Sequence, residues 1–115
     1  MPWLASMDAR GTSSLRGSEG GTIIVDEEHD DYGARITLEA NTKTAQAAIT
    51  CGLYGWMVHT RLFGTLDVAL REYEAMKIDL AIVGSLIPKA NDTEVEQKSA
   101  RLLQAISTFE EKFPS

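Results

Sequence analysis

A nearly uncharged stretch from Ala45 to Phe63, with the sequence AQAAITCGLYGWMVHTRLF, constrains this chain more than any other feature. It contains the chain's one cysteine, Cys51, and Arg61 is its only charged side chain. A run of this kind has to be buried against other parts of the chain, because water disfavours exposed apolar surface. The remaining sequence is therefore expected to supply the elements that cover it.

A helix and a strand compete for this stretch. Apolar residues between Ala45 and Met57 recur at spacings of three, four, seven and eight, which is a helical pattern. However, Gly52 and Gly55 would each cost about 1 kcal/mol inside a helix. The β-branched and aromatic residues around them suit a pleated surface. We therefore expect a long bent strand, or two strands that meet at Tyr54 and Gly55, in preference to a helix.

The alternation of side chains predicts which residues of the stretch face the core. Residues 49, 51 and 53 share one strand face, whereas Trp56, Val58 and Leu62 have the opposite parity. A bulge of one extra residue near Tyr54 and Gly55 would bring both sets onto the same side. This arrangement predicts that the other face carries the following residues: Arg35, Thr37, Glu39, Met57, His59, Arg61 and Phe63.

The chain before this stretch divides into a tail and a hairpin. Residues 1–20 are rich in Gly and Ser and have no period, so we expect a flexible tail, followed by a single domain over residues 21–115. The β-branched run 22–25 and the alternating run from Ala34 to Ala40 flank an Asp-Asp-Tyr-Gly turn signal. Two strands around such a turn predict a β-hairpin.

Two helices are expected after the stretch. Thr65 can cap a helix with Asp67 in its first turn, and this helix should end near Gly84 and Ser85. Asn91 and Glu94 have the spacing of a capping box before a second helix. The predicted fold is therefore α+β. It consists of a three- or four-stranded antiparallel sheet, made of the hairpin and the long bent strand. Two C-terminal antiparallel helices cover one face of that sheet.

Composition excludes several classes of function. With a formal net charge of −6 and no basic run, the chain is a poor candidate for binding nucleic acid or an acidic membrane surface. One cysteine excludes an intramolecular disulfide and a zinc site built from cysteines. No apolar run reaches the roughly 18 residues of a membrane span, and the N-terminus has no signal-peptide pattern. We expect a cytoplasmic protein. Gly52 and Gly55 fit neither a P-loop nor a dinucleotide motif, so no cofactor is predicted.

The mixed face described above suggests self-association. Met, Phe and Arg side chains are favoured in protein interfaces, and two-fold dimers are the commonest oligomers. We therefore expect a homodimer with Met57 and Phe63 in its interface, and another protein is the alternative partner. The leading hypothesis for function is a non-enzymatic interaction or regulatory domain.

A ligand site is the alternative hypothesis. Arg35, Glu39, His59 and Arg61 are predicted on one face, where guanidinium groups and an imidazole could bind a small anion. His59 and Cys51 are weak candidates for catalysis, because a thiol needs a nearby base and an electropositive setting to become a nucleophile. The sequence leaves open whether the protein is an enzyme.

The acidic tip of the hairpin is a weak candidate for a metal site. Glu28, His29 and Asp31 offer carboxylate and imidazole ligands. Consecutive strand residues point to opposite faces, so their side chains rarely converge on one ion. A solvated turn is the favoured interpretation, and no metal is predicted.

Overall fold

The computed structural model describes residues 4–5, 19–29, 33–88 and 94–114. Five antiparallel strands lie side by side in the order β1-β2-β3-β4-β5, and two helices follow. The strands are β1 (Leu4–Ala5), β2 (Thr22–His29), β3 (Ala34–Ala40), β4 (Ala47–Leu53) and β5 (Met57–Phe63). The helices are α1 (Leu66–Gly84) and α2 (Val95–Lys112).

The α+β fold is confirmed, with an open antiparallel sheet packed against two C-terminal helices. Four strands have seven or eight residues, and they are the strands of the predicted hairpin and of the central stretch. The two-residue β1 lies within the segment that was predicted as a tail, and it pairs with β2. Residues 1–3 and 6–18 of that segment lie outside the described residues.

Two strands meet at the centre of the apolar stretch, which was one of the two strand arrangements expected there. The Trp56 N–H donates to the Leu53 carbonyl across 2.8 Å, and Gly55 has φ +80°. A hydrogen bond between the first and fourth residues with Gly in the third position is typical of a type II turn, whose third residue needs positive φ. The chain therefore reverses at Tyr54 and Gly55, and β4 pairs with β5.

The predicted bulge is wrong, and this changes which face each residue of β5 occupies. Leu53 pairs directly with Met57, and Cys51 lies opposite His59. Paired residues share a sheet face, so the odd-numbered residues of both strands lie on the same side. The three residues between Leu53 and Met57 form the connection, rather than an insertion in a continuous strand. The helices cover this side of the sheet, which we call the covered face.

Met57 and Phe63 are therefore core residues, contrary to the prediction that they lie on the uncovered side. Both are buried in the hydrophobic cluster beneath the helices. The largest fully buried apolar side chains of this cluster come from β3, β4 and both helices: Ile36, Leu38, Ile49, Leu53, Met76, Leu80 and Leu102. The other side of the sheet, which we call the open face, carries the even-numbered residues of β4 and β5.

The first helix begins as predicted, and the second differs at its start. The Thr65 hydroxyl accepts a hydrogen bond from the Val68 N–H at 3.3 Å, and Ser85 follows the last residue of α1. Helix α2 begins after Glu94, whose side chain makes no capping hydrogen bond, and Asn91 lies outside the described residues. Neither helix in the described part of the chain combines the length and the apolar content of a membrane span.

Candidate functional site

The four residues predicted to bind an anion do not come together. Arg35 and Glu39 lie on the open face, whereas His59 and Arg61 lie on the covered face opposite Cys51 and Ile49. The sheet separates the two pairs, so the prediction of one site is wrong. The cause is the turn at Gly55, which places the odd-numbered residues of β5 beneath the helices.

His59 and Arg61 hold the C-terminal residues against β5. The Arg61 Nε donates to the Pro114 carbonyl at 2.9 Å, and its terminal nitrogen donates to Glu72 at 2.7 Å. The His59 Nε2 lies 2.5 Å from the Phe113 carbonyl oxygen, which can only accept, so Nε2 carries the proton. These side chains are therefore engaged by the chain itself and are not arranged around an open anion site.

Arg35 is held by a residue that sequence analysis did not single out. Its Nε and one terminal nitrogen donate to the two carboxylate oxygens of Asp26 at 2.9 and 2.5 Å. The Thr37 hydroxyl donates to the same carboxylate at 2.9 Å. The Asp26 side chain is fully buried, whereas 43% of the Arg35 side chain is exposed. This two-point contact neutralises the guanidinium, which weakens its attraction for an external anion.

Glu39 binds the backbone that precedes β2. Its carboxylate accepts hydrogen bonds from the Gly21 N–H at 2.9 Å and from the Glu19 N–H at 3.2 Å. The residue is fully buried although it points away from the helices. A buried carboxylate requires such donors, since an unpaired charge in a protein interior is costly. Glu39 therefore has a structural contact in place of the predicted ligand contact.

Cys51 and His59 are neighbours in the register, but they do not form a nucleophile and base. Burial raises the pKa of the Cys51 thiol to about 12, and the charge of Glu110 adds to this increase, while Arg61 opposes it. The thiol is consequently protonated at neutral pH, and the thiolate is the reactive form. The His59 Nε2 proton is directed to the Phe113 carbonyl.

The hairpin tip does not gather metal ligands. Glu28 pairs with Arg35 on the open face, whereas the next residue, His29, lies opposite Ala34 on the covered face. Asp31 lies outside the described residues. Within the described ranges, no group of three or more His, Cys, Asp and Glu side chains could hold a metal ion.

A second polar contact joins the sheet to α1. The Tyr73 hydroxyl donates to Glu27 at 2.6 Å, and Lys77 reaches the same carboxylate oxygen at 3.2 Å. Burial raises the pKa of Tyr73, and its hydrogen bond to Glu27 raises it further. The phenol therefore stays protonated and serves as a donor that fixes α1 on β2.

A groove of about 970 Å³ crosses the open face. Arg35, Gly52 and Val58 form one row across its floor, and the turn residues Tyr54 and Trp56 line one end. Gly52 adds no side chain to the floor, and a Cβ there would stand 3.0 Å from the Met57 carbonyl oxygen. Of the four residues predicted to bind an anion, only Arg35 lines this groove.

Apolar side chains are exposed on the same face along β5. Val58 is 77% exposed and Leu62 is 50% exposed. Thr60 lies between them and contacts Thr50 of β4 through their hydroxyls at 3.3 Å. The alternation pattern predicted Val58 and Leu62 in the core, because it included the turn residues in a strand. A three-residue hairpin connection around Gly55 would instead predict that Val58 and Leu62 lie on the open face.

Comparisons of this chain with protein-family models, with curated proteins and with solved structures find no match.

Proposed function

We propose that this protein is a non-enzymatic interaction domain of the cytoplasm that acts as a homodimer through the side of its sheet that the helices leave open. The observation that carries the proposal is the exposure of Val58 and Leu62 on one strand of that side. Apolar surface of this kind gains roughly 25 cal/mol for each Å² that a partner removes from water.

The polar groups of the sheet support an interaction role over catalysis. Arg35 is bound to Asp26, Arg61 to Glu72, and the His59 imidazole to the Phe113 carbonyl. The Cys51 thiol is buried and protonated. Catalytic groups have to reach the reacting atoms of a substrate, and these side chains are instead used for internal contacts.

The mass in solution tests the proposal. Light scattering on a sizing column should give twice the chain mass of 12.6 kDa. Val58→Asp should give the mass of one chain, since a charge would then be buried without a partner. Ile78→Asp is the matched control, because Ile78 is 61% exposed on α1, away from the open face. It should remain dimeric. Unmodified protein that has the mass of one chain at every concentration would contradict the proposal.

A second candidate function is the binding of a small molecule, and the open-face groove favours it. Its volume of about 970 Å³ lies within the usual range for ligand sites. The anionic ligand that the sequence suggested would have to compete with Asp26 for Arg35. An uncharged and largely apolar molecule that packs beside Trp56 and Val58 suits the groove better.

A thermal-shift screen of uncharged aromatic compounds tests this second function. A compound that binds the folded protein should raise its melting temperature. Val58→Trp should abolish that rise by filling the groove, whereas Leu62→Trp, on the same strand but outside the groove lining, should retain it. An equal loss in both variants would place the compound elsewhere, and a screen with no active compound would count against a ligand site.

A further inference from the structure

We infer that the dimer forms by antiparallel pairing of β5 with β5 of a second copy, about a two-fold axis that passes through Thr60. This inference rests on the proposed function, since it specifies the interface of the homodimer. It differs from a face-to-face dimer in which the open faces of two sheets stack on each other.

Strand β5 forms one edge of the described sheet. β5 is the last strand in the order, and it pairs with β4 without interruption from Leu53 opposite Met57 to Ala47 opposite Phe63. No described strand lies on its other side. Along that side, alternate residues direct their N–H and C=O groups outward, and such a row is a template for another strand.

The opposite edge of the sheet, where the two-residue β1 covers only part of β2 among the described residues, resists such pairing in ways that β5 does not. β2 carries Asp26, Glu27 and Glu28 in succession, has a register irregularity between Ile23 and Val25, and is partly covered by β1. Charges, bulges and covering segments are the usual protection of sheet edges. β5 has no proline, no acidic residue and an unbroken register. Among the strands that the structure describes, β5 therefore forms the edge that is open to a partner.

The side chains of β5 are complementary to themselves. Pairing about Thr60 places Val58 opposite Leu62 of the partner strand, and the same contact repeats on the other side of the axis. Both residues lie on the open face and are at least half exposed in one chain. Directly opposed apolar side chains stabilise antiparallel strands. Two identical contacts therefore bring the four most exposed apolar side chains of the paired strands together in two pairs.

Charge favours this edge for the contact between two copies. The chain has a net charge of −6, so two copies repel each other over much of their surface. The single charged side chain of β5, Arg61, is on the covered face and is paired with Glu72. The strand thus brings no acidic residue to the contact. Val58 and Leu62 lie at equal distances from the axis through Thr60, so the partner that fits this edge is a second copy of the same chain.

Disulfide trapping tests the register. Thr60→Cys should place two introduced thiols directly across the axis, where opposed strand residues are close enough for a disulfide. Oxidised glutathione should then convert most of the protein to a covalent dimer. Thr50→Cys is the control, because Thr50 lies beside Thr60 on the same face but in the interior strand β4. It should stay uncrosslinked, and Cys51 is too buried to compete.

Charge exchange provides an independent measurement on the folded protein. The double variant Val58→Lys with Leu62→Lys puts like charges opposite each other across the axis and should halve the mass in solution. Val58→Lys with Leu62→Glu puts opposite charges at both contacts and should restore the dimer. This rescue is specific to the antiparallel register, since positions 58 and 62 within one strand are about 13 Å apart.

The outcomes separate this inference from the proposed function. A dimer that crosslinks through Thr50→Cys but not through Thr60→Cys would overturn the β5 pairing and retain a homodimer with stacked open faces. Failure of the Lys/Glu variant to recover the dimer, with circular dichroism unchanged, would also overturn it. An unmodified protein that is always a monomer would overturn the proposed function itself.

Discussion

The two faces of β5 invert the usual relation between polarity and burial. His59 and Arg61 point under the helices, where each donates a hydrogen bond to a C-terminal carbonyl. Val58 and Leu62 point away from the helices and are largely exposed. Polar groups can lie beneath other elements when they have hydrogen-bond partners, whereas none of the residues that the structure describes covers the apolar pair. The polar side chains of the covered face therefore have their partners within one chain, whereas the open face exposes the apolar pair that the proposed dimer would contact.

The largest expected difference between the faces is in their contribution to folding stability. Ile49→Ala removes a fully buried side chain from the covered face and should lower the free energy of unfolding by about 2 to 5 kcal/mol. Ile24→Ala makes the same chemical change at an exposed position of β2. It should cost less than about 1 kcal/mol, since surface changes are usually small. Urea denaturation at a fixed protein concentration measures both, and equal losses would contradict the difference in burial between the two positions.

A smaller effect is expected from the ion pair of the open face. Asp26→Asn weakens the hold on Arg35 and should cost about 2 kcal/mol, because the buried carboxylate accepts three hydrogen bonds from Arg35 and Thr37. Asp79→Asn removes the contact with Lys112, which is 61% exposed, and should cost at most about 1 kcal/mol.

Chemical denaturation of both variants in low salt and at 0.5 M salt refines this comparison. The loss of unfolding free energy caused by Asp79→Asn, relative to the unmodified protein, should shrink in salt, because salt screens exposed ion pairs. The loss caused by Asp26→Asn should hardly change, since buried pairs are screened less. A loss for Asp26→Asn no greater than that for Asp79→Asn would mean that Arg35 is not fixed by this carboxylate. The guanidinium would then be available to an anionic ligand, and the second function would gain support.

The sequence predicts the elements of this fold better than their relative placement. The helix from Leu66 to Gly84 follows from a regular apolar period and from Thr65 as a cap, because both signals are local. The hairpin of β2 and β3 follows from alternation and a turn signal for the same reason. These features depend on residues only a few positions apart.

The candidate site could not be predicted in the same way. The faces of β5 depend on how many residues form the turn before it, and an error of one residue moves every side chain to the opposite face. The contacts of Arg61 with Pro114 and of Arg35 with Asp26 join residues that are distant in sequence or in different strands. No period or motif encodes such pairs. A single turn of unpredicted length places His59 and Arg61 on the covered face, opposite to the face that carries Arg35 and Glu39.

The turn itself has an expected effect no larger than that of Asp26→Asn, and it tests the origin of the two faces. Gly55 has φ +80° and a Cβ there would meet no atom within 4 Å, so Gly55→Ala should cost about 1 to 2 kcal/mol from backbone strain alone. Gly64 has the same open space without positive φ. Gly64→Ala should therefore be neutral or stabilise by up to about 1 kcal/mol. Thermal unfolding of both variants measures the difference. Equal melting temperatures would show that the positive φ at Gly55 is not required, and the register that places His59 on the covered face and exposes Val58 would then need another cause.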